Sequence, residues 1–160
     1  MNELTSETIA LMLNDKHMTL HSEPSTVEVP FADSAAAQFV LSRIAGFSQV
    51  PKLSLRMLHI RGFDVFPLID VYLNTEKKTF DEALLIGSLA LYGIRGSSTA
   101  DSKNSGIGLH ESWDVTHVFE TAIQRKNWSF QSFTLTFVPQ HPFPENAELS
   151  FERIELLVFR

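Results

Sequence analysis

The sequence has no cysteine among its 160 residues. That removes disulfides, thiolate metal sites and cysteine nucleophiles, and leaves the fold to packing alone. It also lacks a long apolar run near its start: between Met1 and Leu20 the longest is Ile9 to Leu13, with no cationic segment before it. Neither a secretory leader nor a membrane span has that form, so a cytoplasmic protein with no membrane partner is expected. Clustered cations are missing too. The longest Lys/Arg runs are the pairs Lys77-Lys78 and Arg125-Lys126, and 13 basic residues against 19 acidic ones leave a net charge of −6. A nucleic-acid partner is therefore not expected, because a phosphate backbone must be met by several cations. The nucleophile-elbow, Walker A and dinucleotide-binding signatures are absent, and the Gly-Ile-Gly at 106–108 specifies nothing alone. What is present is apolar material: 44% of residues, thirteen of them phenylalanine, enough for the core of one domain.

Residues 1–25 read as a helical arm, with Thr5 or Ser6 as cap and Ile9, Met12 and Leu13 at i, i+3 and i+4. Residues 26–160 read as a single domain. In it, Thr26 to Val29 alternates and ends at Pro30, which suits an edge strand. Ser34 to Gly46 reads as a helix or loosely wound connector, with Ser34 at its N-cap and Gly46 beyond its end. From Leu53 to Ile60 the apolar positions change face, so a bulge near Met57 is needed to keep one face buried. Ile69, Val71 and Leu73 alternate with polar neighbours as a half-buried strand. Leu84 to Tyr92 is apolar on both faces and reads as a central strand, with Gly87 marking a bulge or close backbone approach. Gly93 to Gly108 is glycine- and serine-rich and reads as a functional loop. Asp114 is placed to cap a short helix carrying Val115, Val118, Phe119, Ala122 and Ile123, and two strands, 130–138 and 151–159, close the chain. The expected fold is mainly β: an antiparallel, jelly-roll-like β-sandwich of about seven strands with one or two short helices.

Candidate chemistry is sparse. Of the six histidines, His17 and His21 alone share helical spacing; with Met18 they join imidazole and thioether, a set suited to transient handling of Cu(I). His59, His110, His117 and His141 fall on different elements with no ligand motif linking them, so no tightly bound cofactor is expected. Trp113 and Trp128 would form a sugar-stacking platform only if exposed together; Trp128 is read as a core plug.

Five segments in order, LSLRMLHIRG (53–62), LIDVYLN (68–74), IGSLALYGI (86–94), SWDVTHVFE (112–120) and FTLTFVP (133–139), resemble the C-terminal β-sandwich domain of tyrosinases, plant polyphenol oxidases and molluscan haemocyanins. In that family a separate helical domain holds two coppers, and the sandwich packs over their entrance. The resemblance thus implies a non-catalytic shielding, accessory or maturation part, with a type-3 copper oxidase domain or subunit as partner and the copper in that partner. It implies shielding residues in the loops beside IGSLALYGI: Phe63, Phe66, Tyr92 and Ile94. The family phenylalanine of the Gly-Ser-Phe strand is Leu89 here. A jelly-roll module for carbohydrate or another ligand, and a structural domain serving homo-oligomerisation, stay open beside it.

Overall fold

The computed structural model describes residues 5–14, 19–44, 51–74, 80–99, 108–125 and 128–159. Strand β4 (Lys52–Gly62) is hydrogen-bonded along both edges. Its buried side chains are Leu53, Leu55 and Met57, then Ile60, so the inward phase moves by one residue. A β-bulge makes that change. Pairing with β7 (Leu109–Asp114) jumps from Met57 opposite Glu111 to Ile60 opposite Leu109, and His59 takes a left-handed φ of 56°. This is the bulge expected near Met57; without it Ile60 would point to solvent.

On the other edge, β10 (Arg153–Phe159) pairs with the first part of β4 and β9 (Leu149–Ser150) with its last two residues. Strands β1 (Ser6–Leu13) and β2 (Thr19–Leu20) pair outside β10 and β9 and complete a six-stranded sheet. The second sheet has four strands in the order β3 (Ser25–Pro30), β8 (Ser132–Pro139), β5 (Ile69–Leu73), β6 (Leu85–Leu89). Every pairing among the described residues is antiparallel. The core lies between the sheets: Leu53, Leu55, Met57, Ile154, Leu156 and Val158 from one, and Val27, Val29, Ile69, Val71, Phe133, Leu135 and Phe137 from the other. The expected sandwich is therefore the fold. No helix among the described residues is long and apolar enough to cross a membrane.

Among the described residues three α-helices, α1 (Ser34–Ile44), α2 (Ile94–Ser98) and α3 (Thr116–Ile123), and one 3-10 turn at Glu82–Leu84 complete it. The Asp114-Val115-Thr116 triplet ties α3 to β4. Thr116 Oγ1 accepts the Leu53 N–H at 2.9 Å and donates to Asp114 Oδ1 at 2.7 Å, while the Val115 N–H donates to the Leu53 carbonyl at 3.0 Å. Phe119, fully buried, then meets Phe133 and Trp128 edge to face.

Three local expectations are corrected. Residues 6–13 form a strand, not a helix. A register shift between Thr8 and Ala10 buries both Ile9 and Ala10, and that break in alternation imitates helical spacing in the sequence. Leu85–Leu89 is an edge strand, not a central one, because β5 is its one partner among the described residues. It is apolar on both faces because Trp113, from the facing sheet, covers Gly87: a Cβ at Gly87 would lie 2.7 Å from the indole nitrogen. Finally, α1 is capped by Asp33 instead of Ser34, its Oδ1 accepting the N–H groups of Ala35 and Ala36. Gly46 lies outside the described residues, as does 100–107 of the glycine-rich segment, whose start forms α2.

The α3 lock is testable by equilibrium denaturation. Thr116→Val leaves the Leu53 N–H without its acceptor and should cost about 1–3 kcal/mol with the fold retained. Asp114 is pushed up by burial, but the Thr116 hydroxyl and N–H and the charge of Lys52 outweigh this and hold it below the usual carboxylate range. Its contribution is thus complete above about pH 4, the unfolded value, and is lost as pH falls through the lowered one. Asp114→Asn should flatten that acid limb.

Candidate functional site

The end of the sandwich where β4 and β6 finish carries two neighbouring loops, residues 63–68 and 90–93. The first begins at Gly62, whose N–H donates to the buried Ser98 Oγ of α2 at 3.0 Å. The missing side chain at Gly62 lets Phe66 fold back over the strand, since a Cβ there would lie 2.6 Å from the phenyl ring. Phe66 also meets Phe143 edge to face, with ring centres 5.1 Å apart. The Leu68 carbonyl closes the loop by accepting the Gln140 N–H. Between the two loops lies an open cleft of about 510 Å³, walled by Asp64, Phe66 and Leu68 on one side and Leu91, Tyr92 and Ile94 on the other.

The four residues singled out by resemblance divide into two kinds. Tyr92 is 90% exposed and Phe63 62%. Ile94, at 2%, is cleft floor, and Phe66 is half-buried wall. Phe63 stands beside the cleft, while the other three line it. Reading the sequence alone missed Val65 and Leu68, which are also exposed; the signal was there in an apolar residue on either side of Phe66-Pro67. Of the seven large hydrophobic residues exposed among the described ones, four (Phe63, Val65, Leu68 and Tyr92) come from these two loops. Exposed apolar residues gathered in this way are a feature that association surfaces and ligand grooves share.

Metal-ligating groups do not gather there. His17 and Met18 lie outside the described residues, and His21 is exposed, 3.1 Å from the Thr19 hydroxyl. The remaining histidines were expected to stay apart, yet the bulge in β4 brings His59 against His110 of β7, with ring centres 4.9 Å apart. Burial, then His59 and Arg56, hold His110 below the usual histidine range. Among the described residues no three His, Asp or Glu side chains are placed to hold a metal ion. The tryptophans form no open platform either: Trp113 lies over Gly87, and Trp128 packs on Phe119 and Phe130.

A family model described as "Domain of unknown function (DUF7868)" matches residues 6–158. The chain belongs to this family. Over 103 residues it is 23% identical to a tyrosinase from Hahella sp. (strain CCB-MM4), a match covering 64% of this chain and 22% of that protein. Its fold matches a latent aurone synthase (polyphenol oxidase) from natural source, at 14% identity and a TM-score of 0.54, covering 88% of this chain and 26% of that one. A recombinantly expressed latent aurone synthase (polyphenol oxidase) matches at 13% identity and a TM-score of 0.51, covering 88% and 25%. The resemblance to tyrosinases and polyphenol oxidases read from the segments is therefore shown. The DUF7868 chain spans about a quarter of the length of these relatives, in which the matching region is part of a longer chain.

The cleft predicts a division between protruding and supporting residues. Tyr92→Ala and Phe63→Ala, both at exposed positions, should leave the thermal midpoint within a degree or two of wild type. Ile94→Ala should cost about 2–4 kcal/mol, because it empties buried volume under the cleft. Differential scanning fluorimetry of the three variants reads the difference.

Proposed function

We propose that this domain is a non-catalytic cover for a copper oxidase domain of the tyrosinase and polyphenol oxidase type. It docks through the sandwich end that carries Phe63, Val65, Leu68 and Tyr92, and keeps phenolic substrates from the partner's copper site until it moves. The observation that carries this reading is the gathering of exposed apolar side chains on two loops tied down at Gly62, Phe66 and Leu68. The likeness in fold to oxidases described as latent supports it. A few aromatic anchors set in a water-excluding rim are what a tight but reversible interface requires. Release of such a cover opens the site without any chemistry by the cover itself.

Among the described residues no three ligating side chains converge. In this reading oxidation belongs to the partner, and Tyr92 and Phe63 act by filling and shielding. Rigid support matters as much as the anchors. Ile94 and Phe66 hold the loops in place, so little conformational entropy is lost when Tyr92 docks.

The test is oxygen uptake with a simple catechol by a tyrosinase-type catalytic domain, titrated with this domain. Saturable inhibition is expected. Tyr92→Ala should weaken it by about 2 kcal/mol, roughly thirtyfold in Kd, with the thermal midpoint unchanged. Binding that leaves oxidation unaltered, or no binding at all, would overturn the proposal; normal inhibition by Tyr92→Ala would remove Tyr92 from it.

A further inference from the structure

The two walls of the cleft each carry a charge that the chain itself does not neutralise. Among the described residues Arg56, Arg61, Arg125 and Arg153 are ion-paired and Arg43 lies over the Phe39 ring, whereas Arg95, which lines the cleft, has no side-chain partner. Asp64, on the opposite wall, is likewise unpaired among the described residues. Between them the cleft is walled by Phe66, Leu68 and Leu91, and Tyr92 stands beside it 90% exposed. Its volume of about 510 Å³ lies within the range of roughly 300–1,000 Å³ that admits a small ligand, and so an aromatic side chain. A protruding ring, a hollow that accepts one, and an unpaired charge of each sign thus share one end of the molecule. We propose that this end is a self-complementary interface: two copies of the chain, related by a two-fold axis, each set Tyr92 in the other's cleft and pair Asp64 with Arg95 of the second copy.

The pattern itself selects a second copy as the occupant. In a two-fold interface one patch serves both sides, so it must carry its own complement, a base for its acid and a hollow for its knob. A patch charged with one sign would repel its copy; here the axis brings unlike charges together at two places. That matters in a chain of net charge −6, whose copies otherwise repel one another. The exposed side chains of Phe63, Val65 and Leu68 form the apolar rim that keeps water from the inserted ring. The inference does not depend on the covering role proposed above. Where both hold, the second copy and the oxidase domain compete for Tyr92, and the free domain is a capped dimer.

The experiment is sedimentation equilibrium of the full chain over a range of concentrations. Wild type should form a dimer with a Kd on the order of 1–100 μM that weakens as sodium chloride is raised. Tyr92→Ala should weaken it about a hundredfold, because each change counts at two contacts. Asp64→Arg and Arg95→Asp each set like charges together at both contacts and should give monomers with the wild-type thermal midpoint. The double variant Asp64→Arg/Arg95→Asp restores unlike charges and should dimerise again, as should an equimolar mixture of the two single variants. Monomers at every concentration up to about 1 mM would overturn the proposal. So would a dimer indifferent to Tyr92→Ala or to the single reversals, which places the interface elsewhere, and so would failure of both the double variant and the mixture to dimerise. If a variant does not fold, wild type decides: the Tyr92 ring signals in NMR must move with protein concentration, and their constancy refutes the interface.

Discussion

An eleven-residue strand that must keep one face in the core while bonding neighbours along both edges can do so only if its side-chain phase holds. In β4 it does so because the extra residue at the bulge returns Ile60 to the inside. β10, β7 and β9 each pair with this strand. The same bulge aims the end of β4 so that Gly62 meets Ser98 and Phe66 folds back on the strand. The cleft is thus a consequence of how the core is kept continuous. A slip of one residue in β4 would expose Ile60 and dismantle the cleft in the same movement.

Electrostatics reinforces that register from the outer side of the sheet. The Glu155 carboxylate, 3% exposed, is paired with Arg56 across the strand and with Arg153 two residues away on its own. A buried carboxylate is costly unless paired, so any misalignment of β10 against β4 would leave it stranded. Such a pair adds little net stability but penalises the wrong alignment heavily. Beside it, the Asp114-Val115-Thr116 triplet does similar work for α3, satisfying the Leu53 N–H and carbonyl where the helix would otherwise leave them open. The resemblance to tyrosinases read from the sequence rested in part on this triplet, and its hydrogen bonds are a structural reason for that combination of residues.

The cleft end divides its labour between residues that protrude and residues that support. Tyr92 and Phe63 offer apolar area to solvent, which an isolated domain gains nothing by exposing. Ile94 and Phe66 spend theirs inside, holding the loops that present the others. Under the covering role proposed above, the partner contributes the pocket that Tyr92 fills.

Composition and periodicity by themselves determined the class of fold, the alternation of β3, β5 and β8, the helix after Asp114 and the need for a bulge in β4. Each follows from local spacing of apolar residues, which is all that a sequence displays directly. The order of the five segments determined the resemblance to tyrosinases and polyphenol oxidases. What tertiary structure alone decided was everything that depends on a distant partner. Residues 6–13 have helical spacing but are a strand, because β10 offers a paired edge and a bulge accommodates Ile9. Leu85–Leu89 is an edge strand although apolar on both faces, because Trp113 crosses from the other sheet to cover it. His59 and His110, 51 positions apart in the chain, meet because one extra residue in β4 turns the first toward the second. Local spacing carries no information about which strand lies opposite, and in a sandwich built from long-range pairings that is what assembles the site.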